Sequence, residues 1–231
     1  MLSRLKGILK NKSFALYTRP YELNIIGLRA KDSKPNTFQD EIHVFYKETG
    51  NKWNYHVFKA TTDPGTYWLK NPDAPQGTAI LKEGQYKNCY GLGLHHGEYM
   101  ALVQIRPVTV YRDYDRTSYI SLKDASTQTG MFGINIHHAK SKGTTNYIDN
   151  YSAGCQVFAN AEDFAEFITL CEKHRSLYGN EFTYTLVDFR QLRRVTIKRI
   201  AMATSFITAL IASILLKEQD KKYEQHTPAT V

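Results

Sequence analysis

Short runs in which apolar and polar residues alternate recur along most of the chain, and they constrain the fold more than any other feature. The segment 41–62, EIHVFYKETGNKWNYHVFKATT, contains two such runs around a glycine-containing turn, which is typical of a β-hairpin. Residues 90–115 predict a second hairpin with alternating arms, and shorter strand-like runs cover 130–139 and 182–189. The 16 tyrosines add to the strand preference. This pattern predicts a mostly β domain.

One segment has helical rather than strand periodicity. In residues 160–179 the apolar side chains fall on one helical face, Asn160 is placed to cap the N-terminus, and Gly179 follows the last turn. Residues 63–86 carry three of the seven prolines and predict a long loop. The expected fold class is therefore mostly β, or α+β, with one helix packed on the strands.

The C-terminal part of the chain has a different composition. Residues 200–216 contain no charge over 17 positions, near the minimum length for crossing a bilayer, and basic residues flank them on both sides. Five basic residues precede the run and three follow it, which weakly favours a cytoplasmic main domain. Small residues recur every four positions and suit helix-mediated self-association in lipid: Ala201, Ser205, Ala209 and Ser213. We expect a transmembrane helix, and the alternative is a buried helix of a soluble core.

These segments divide the chain into three parts. Residues 1–19 form a basic N-terminal segment, residues 20–190 the main domain, and residues 191–231 a basic linker, the apolar helix and a polar tail. The net charge of +8 favours a polyanionic partner such as a nucleic acid, an anionic membrane surface or a cell-wall polymer, although a solvated lysine-rich face explains it equally well. Because no basic–aromatic motif of a known type is present, no nucleic-acid partner is expected.

Cysteine usage favours a reactive thiol over disulfides or a metal. Three cysteines cannot all pair with one another, and no C-x-x-C motif is present. Cys171 lies on the apolar face of the predicted helix and Cys89 near the start of a strand, so both are expected to be buried core residues. The two His-His pairs complete no ligand spacing with acidic or cysteine residues, so no metal and no cofactor is expected.

Two segments together carry the residues of a cysteine nucleophile. A thiol attacks an acyl group as the thiolate, which usually needs a neighbouring histidine. The segment GINIHHA, residues 133–139, supplies His137 and His138, and strand alternation turns His137 away from the two isoleucines. We therefore expect Cys155 to be the nucleophile and His137 the base. Backbone N–H groups near Gly154 and Cys155 are the expected oxyanion donors.

The sequence resembles the L,D-transpeptidases, a family of cysteine enzymes that act on peptidoglycan. In that family a catalytic histidine follows a strand, and a motif of Ser or Thr, His, Gly and Cys comes later. Here Cys155 lies 18 positions after His137. Ser152 and Gly154 match the hydroxyl residue and the glycine of the motif. The resemblance implies a β-sandwich catalytic domain with one packed helix, and it assigns the same nucleophile and base.

Two positions depart from the family pattern. Ala153 replaces the histidine of the motif, and Val157 replaces an Asn or Arg that shapes the pocket. The segment SAGCQV, with GLHHGEYMALVQ and VYRD upstream, is similar to a divergent branch found in phage and bacterial genomes. The side chains expected to line the pocket are Ser152, His138, Gln156 and, from the neighbouring hairpin, His95.

The leading hypothesis is a cysteine-dependent acyl-transfer enzyme that acts on peptidoglycan stem peptides in phage lysis or wall remodelling. Cys155 would attack the carbonyl between a meso-diamino acid and a D-amino acid, and the acyl-enzyme would pass to water or to an amine. The alternative, motivated by Ala153 and Val157, is a catalytically degenerate wall-binding or virion structural module of the same fold. A membrane-associated nucleic-acid binder ranks third. The expected location is a membrane, in a bacterial envelope or in a phage-infected host cell.

Overall fold

The computed structural model describes residues 1–30, 36–50, 52–122 and 125–190, together with Leu192 and Thr208. This part of the chain forms eleven strands and three helices, which confirms a mostly β fold of the α+β class. The helices are α1 Leu2–Asn11, α2 Thr66–Lys70 and α3 Ala161–Tyr178. The strands are β1 Asn24–Arg29, β2 Asp40–Lys47, β3 Trp53–Thr61, β4 Thr78–Leu81, β5 Gly84–His95, β6 Tyr99–Gln104, β7 Val108–Asp113, β8 Thr127–Gly130, β9 Ile136–His138, β10 Gln156–Phe158 and β11 Phe182–Asp188.

Eight of these strands form one closed sheet in the order β1-β11-β5-β6-β9-β10-β3-β2. Most neighbours are antiparallel, but β1 pairs in parallel with β11, and β9 pairs in parallel with β10. The strands β4, β7 and β8 form a separate antiparallel sheet. This sheet-rich architecture is consistent with the predicted sandwich, with the difference that the large sheet closes on itself.

The two predicted hairpins behave differently. Strands β2 and β3 pair along their whole length, as the alternation in 41–62 predicts. The segment 90–115 instead contributes to both sheets. Strands β5 and β6 pair around a turn in which His96 and Gly97 have positive φ angles. Pro107, which has no N–H to donate, then follows, and β7 leaves the large sheet to pair with β4 and β8.

The interior of the closed sheet holds the main apolar core. It includes Ile25, Ile42, Val44, Phe58, Leu102, Ile136 and Phe158, and α3 adds Phe164, Phe167 and Cys171. Helix α3 begins as its sequence predicts, because the Asn160 side chain accepts a hydrogen bond from the backbone N–H of Asp163 at 2.7 Å. Gly179 follows its last turn with a φ of +89°. The predicted packed helix is thus confirmed.

Helix α1 covers the outside of the closed sheet. Its buried side chains, Leu5, Ile8 and Leu9, pack against Ile26 of β1, Phe45 of β2 and Val187 of β11. Neighbouring residues of β1 therefore face opposite apolar layers, with Ile25 in the main core and Ile26 under α1. This explains why all six residues of β1 are buried.

Two sequence expectations concern segments away from the core. Residues 63–86, expected to be a loop, contain α2 and β4, and the three prolines lie outside both elements. The predicted linker and transmembrane helix fall on residues 191–231, which lie outside the described residues apart from Leu192 and Thr208. Within the described ranges, no helix combines the length and apolar character needed to cross a bilayer.

Candidate active site

The two motif segments lie on neighbouring strands of the closed sheet. Strands β9 and β10 pair in parallel, with Val157 opposite His137. The backbone N–H of Gln156 donates to the carbonyl of Asn135 at 2.8 Å, so Cys155 lies beside Asn135. Along the strands this is two residues, or about 7 Å, from the level of His137. Alternation places Cys155 and His137 on one face of the sheet, while the isoleucines of this segment enter the core.

The Cys155 thiol lies between two backbone groups of the neighbouring segment. Its sulfur accepts a hydrogen bond from the Asn135 N–H at 3.4 Å and donates one to the carbonyl of Gly133 at 3.4 Å. The residue as a whole is half-buried. Burial raises the pKa of the thiol to about 11, and the Asn135 N–H opposes this rise. In the free protein Cys155 is therefore a neutral thiol at pH 7.

His137 is buried and neutral. Only 4% of its surface is exposed, and its Nδ1 donates to the carbonyl of His138 at 2.9 Å. A carbonyl can only accept, so Nδ1 carries the proton and Nε2 carries the lone pair that a base needs. Burial, with a further contribution from His95, lowers the pKa of His137 to about 3. Within the described residues, His137 makes no hydrogen bond to the Cys155 thiol.

His95 lies directly against His137, in agreement with its expected position near the site. The two rings stack with their centroids 4.1 Å apart. The Asn135 amide fixes the tautomer of His95, because its oxygen accepts from the Gln104 N–H at 2.9 Å and its NH2 group donates to His95 Nδ1 at 3.0 Å. The proton of His95 is therefore on Nε2. Burial lowers the pKa of His95 to about 4, so this imidazole is also neutral at pH 7.

Tyr99 and His138 extend the same aromatic cluster towards α3. The Tyr99 ring stacks on His138 at a centroid distance of 4.1 Å, and the Tyr99 hydroxyl lies 3.2 Å from His137 Nδ1. The other side of His138 contacts Phe164 of α3. His138 thus lies between Tyr99 and the helix, on the opposite side of β9 from Cys155. The sequence predicts that His138 lines the pocket, whereas the structure packs it against Tyr99 and Phe164.

The Ser152–Cys155 turn is fixed by its own hydrogen bonds. The Ser152 hydroxyl is fully buried, donates to the Cys155 carbonyl at 2.8 Å and accepts from the Gly154 N–H at 3.2 Å. The Gly154 N–H is thus already engaged. Among the described residues, no hydrogen bond uses the N–H of Cys155, so this donor of the turn is available to an incoming acceptor, as the expected oxyanion role requires.

Gly154 is required where it stands. Its φ of +127° is strained for any residue with a side chain, and an added Cβ would lie 2.1 Å from the carbonyl oxygen of Ala79. The turn therefore rests directly on β4 of the small sheet. This contact is a physical reason for the glycine of the motif, besides the approach of a substrate.

The remaining predicted positions divide between the core and the surface. Gln156 is fully buried, accepts from the Tyr184 hydroxyl at 2.8 Å and donates to the Gly154 carbonyl at 3.2 Å, so it lies inside the closed sheet and not along the pocket. Val157 is buried in a small apolar cluster with Phe38 and Ile148. Ala153 is exposed.

A cleft of about 200 Å³ lies beside the turn. Its walls include Trp68, Ala79, Arg112, Phe132 and Ala153. Phe132 is next to Gly133, whose carbonyl contacts the thiol, and Ala153 is two residues from Cys155, so the cleft is lined from both motif segments close to Cys155, which is not itself part of the lining. Within the described ranges, no group of three or more His, Cys, Asp or Glu side chains is arranged to hold a metal ion.

Three further residues fix the histidine cluster: Asn135, Gln104 and Tyr99 form hydrogen bonds between strands that are distant in sequence. Alternation alone places Asn135 on the face of His137, although it gives Asn135 no role. Gln104 and Tyr99 were missed by sequence reasoning, because their position depends on the pairing of distant strands.

No protein-family model, curated protein or solved structure matches the chain.

Proposed function

We propose that the protein is a cysteine-dependent acyl-transfer enzyme that acts on peptidoglycan stem peptides. The observation that carries the proposal is the parallel β9–β10 pair, which brings Cys155 and His137 to one face of the sheet, with a cleft beside the turn that ends at Cys155. The sequence resemblance to L,D-transpeptidases supports the choice of substrate class, and the net charge of +8 suits an anionic wall polymer.

The reaction would begin with transfer of the thiol proton to His137 Nε2. The Cys155 sulfur then bonds to the carbonyl carbon of the link between the diamino acid and the D-amino acid, while the Cys155 N–H donates to the oxyanion. Collapse breaks the C–N bond, and His137 returns its proton to the leaving amine. Water or a second amine then attacks the thioester, giving hydrolysis or transpeptidation.

In the free protein this pair is held inactive. Both the thiol and the imidazole are neutral, and the thiol bonds to backbone groups and not to His137. Catalytic hydrogen bonds are often long or absent before substrate binds. We expect a bound peptide to displace the thiol from the Gly133 carbonyl and to bring it within reach of Nε2.

The same observations favour a second candidate, a module that binds stem peptides without cleaving them. A thiol with a raised pKa and a base with a lowered pKa are a poor pair for catalysis at neutral pH. Ala153, which is exposed, also stands where the motif of the L,D-transpeptidases has a histidine. In this second candidate the cleft still binds a stem peptide, and Cys155 no longer cleaves it.

The deciding experiment incubates muropeptides with the wild type and with Cys155→Ala, and identifies the products by mass spectrometry. Cys89→Ala is the matched control, because Cys89 is buried elsewhere in the fold. We expect products with the wild type and the control and none with Cys155→Ala. Hydrolysis gives two fragments whose masses add up to the mass of the muropeptide plus one water. Transpeptidation gives a muropeptide in which an added D-amino acid replaces the original one. Identical profiles for all three proteins would refute the mechanism, whereas binding without any product supports the second candidate.

Membrane association through residues 200–216 is a separate part of the proposal. It is supported by the charge-free run with its basic flanks. Deletion of residues 200–231 should move the protein from the membrane fraction to the soluble fraction. An unchanged distribution contradicts the anchor.

A further inference from the structure

Arg112 is a buried cation that has no acidic partner among the described residues. It lies in β7, and 8% of its surface is exposed. Its Nε donates to the Gln128 side chain at 2.9 Å and its Nη1 to the Gly77 carbonyl at 3.1 Å. The guanidinium also lies over the Phe132 ring at 4.9 Å. Among the described residues, no carboxylate forms an ion pair with Arg112.

The other buried arginine of the fold shows what a purely structural site looks like here. Arg29, which is 6% exposed, is paired with Asp63 at 2.9 Å and with Glu83 at 2.7 Å. A buried charge with only neutral partners is costly, since water is lost and no opposite charge replaces it. Burial accordingly lowers the pKa of Arg112, although the group remains a cation at pH 7. Within the part of the chain that the structure describes, Arg112 has the neutral partners that hold it in place and no anion.

None of the described carboxylates supplies this anion, and Arg112 faces a cleft from which a ligand could supply it. Arg112 and Phe132 line its wall, and Ala153 of the nucleophile turn lines it from the other segment. The one acidic residue on the lining, Asp73, is exposed at the rim, where water screens its charge. A ligand that enters this cleft beside Ala153 therefore meets a largely buried guanidinium that is already oriented by Gln128 and Gly77.

We propose that Arg112 binds a free carboxylate of the ligand that occupies the Cys155 site. A guanidinium binds a carboxylate through paired N–H groups, and the low exposure of Arg112 strengthens such a contact. The inference rests on the proposed function for its ligand, because a stem peptide offers two free carboxylates close to the scissile bond. One is the C-terminal carboxylate of the D-amino acid, and the other is the side-chain-end carboxylate of the diamino acid.

The test is equilibrium binding, measured by calorimetry on Cys155→Ala protein so that no turnover interferes. The probes are a stem tetrapeptide that ends in a meso-diamino acid and D-alanine, and two versions of it in which one or the other carboxylate is amidated. We expect one amide to bind about 10- to 100-fold more weakly than the free peptide, the cost of one charge-assisted contact. The amide that loses affinity identifies the carboxylate.

Arg112→Met, added to Cys155→Ala, should weaken the binding of the free peptide by a similar factor. It should also abolish the difference in affinity between the free peptide and that amide. Arg112→Lys should retain part of it. Lys82→Met is the matched control, because Lys82 is a cation over an aromatic ring, Tyr111, that lies outside the cleft lining. It should leave the difference unchanged.

Equal binding of all three peptides by Cys155→Ala overturns the inference, and this result does not depend on whether Arg112→Met folds. A difference that persists in a folded Arg112→Met protein overturns it as well. If one amide binds more weakly but the wild type forms no product, the acyl-transfer proposal is refuted and the carboxylate site is retained. If the wild type forms products but all three peptides bind equally, only the carboxylate site is refuted. If no peptide binds, both fail.

Discussion

Acid should destabilise this protein through His137, and replacing that residue should remove part of the effect. The pKa of the buried imidazole is lowered from 6.5 to about 3 in the folded state. Below pH 6.5 the unfolded chain therefore binds a proton that the folded chain excludes. Stability from this group is fully present above pH 6.5 and is lost as the pH falls towards 3.

The magnitude follows from the two pKa values. Between pH 7.5 and pH 4.5 protonation of this imidazole stabilises the unfolded state over about two pH units below its pKa, and it stabilises the folded state hardly at all. The free energy of unfolding therefore falls by about 3 kcal/mol. His137→Gln cannot contribute this loss. The variant also loses the hydrogen bond to the His138 carbonyl and the stack on His95, so it should be less stable than the wild type at pH 7.5. The difference in stability between the two proteins should shrink by about 3 kcal/mol at pH 4.5.

Urea unfolding followed by circular dichroism at both pH values measures these differences. Val157→Ala is the control, because Val157 is fully buried opposite His137 in the strand pair and does not titrate. Its destabilisation should be the same at both pH values. An equal pH dependence in the wild type and in His137→Gln would show that His137 is not held neutral, and it would refute the account of its burial.

Two further predictions concern the thiol and its turn. Because the pKa of Cys155 is raised to about 11, its alkylation by iodoacetamide should accelerate roughly tenfold per pH unit from pH 7 to 10. Cys155→Ser serves as the blank. An alkylation rate that stays constant over this range would reveal a thiolate at neutral pH and contradict the neutral pair. Gly154→Ala should lower the free energy of unfolding well beyond the roughly 1 kcal/mol expected for Gly133→Ala, because both glycines have positive φ but only Gly154 faces the Ala79 carbonyl. Equal urea midpoints for these two variants contradict the role of that contact.

Sequence patterns sufficed for the elements whose signals are local. The β2–β3 hairpin follows from alternation around a turn, and α3 follows from a cap, a helical apolar face and a final glycine. The position of Cys155 and His137 on one face also follows from alternation, once their two strands are known to pair. That pairing is a contact between distant segments, so the sequence motivated it only through the motif spacing.

The errors have physical causes. Strand β4 has four residues and α2 has five, too short to show a period between prolines. Strand β7 continues the alternation of β6 but joins another sheet, and alternation does not report which strand is the partner. Sequence reasoning places Gln156 in the pocket as a partial replacement for the Asn or Arg that Val157 replaces. It follows Cys155 directly in a strand, however, and faces the other side, where its side-chain oxygen accepts a hydrogen bond from the Tyr184 hydroxyl inside the core.

The unpaired Arg112 could not be found in the sequence. Its burial depends on the cleft wall built by Gly77 and Phe132, and the lack of an acidic partner is visible only in three dimensions. In the sequence it is one of 30 basic residues.

If Cys155 and His137 form one acyl-transfer site, the mass of the protein changes during turnover. The wild type is mixed with the stem tetrapeptide, quenched in acid within the first turnover and examined by intact-protein mass spectrometry and peptide mapping. We predict an adduct on Cys155 whose mass is that of the tetrapeptide less the released D-alanine, with much slower adduct formation in His137→Gln. An adduct on another residue, or product without any adduct on Cys155, contradicts the claim.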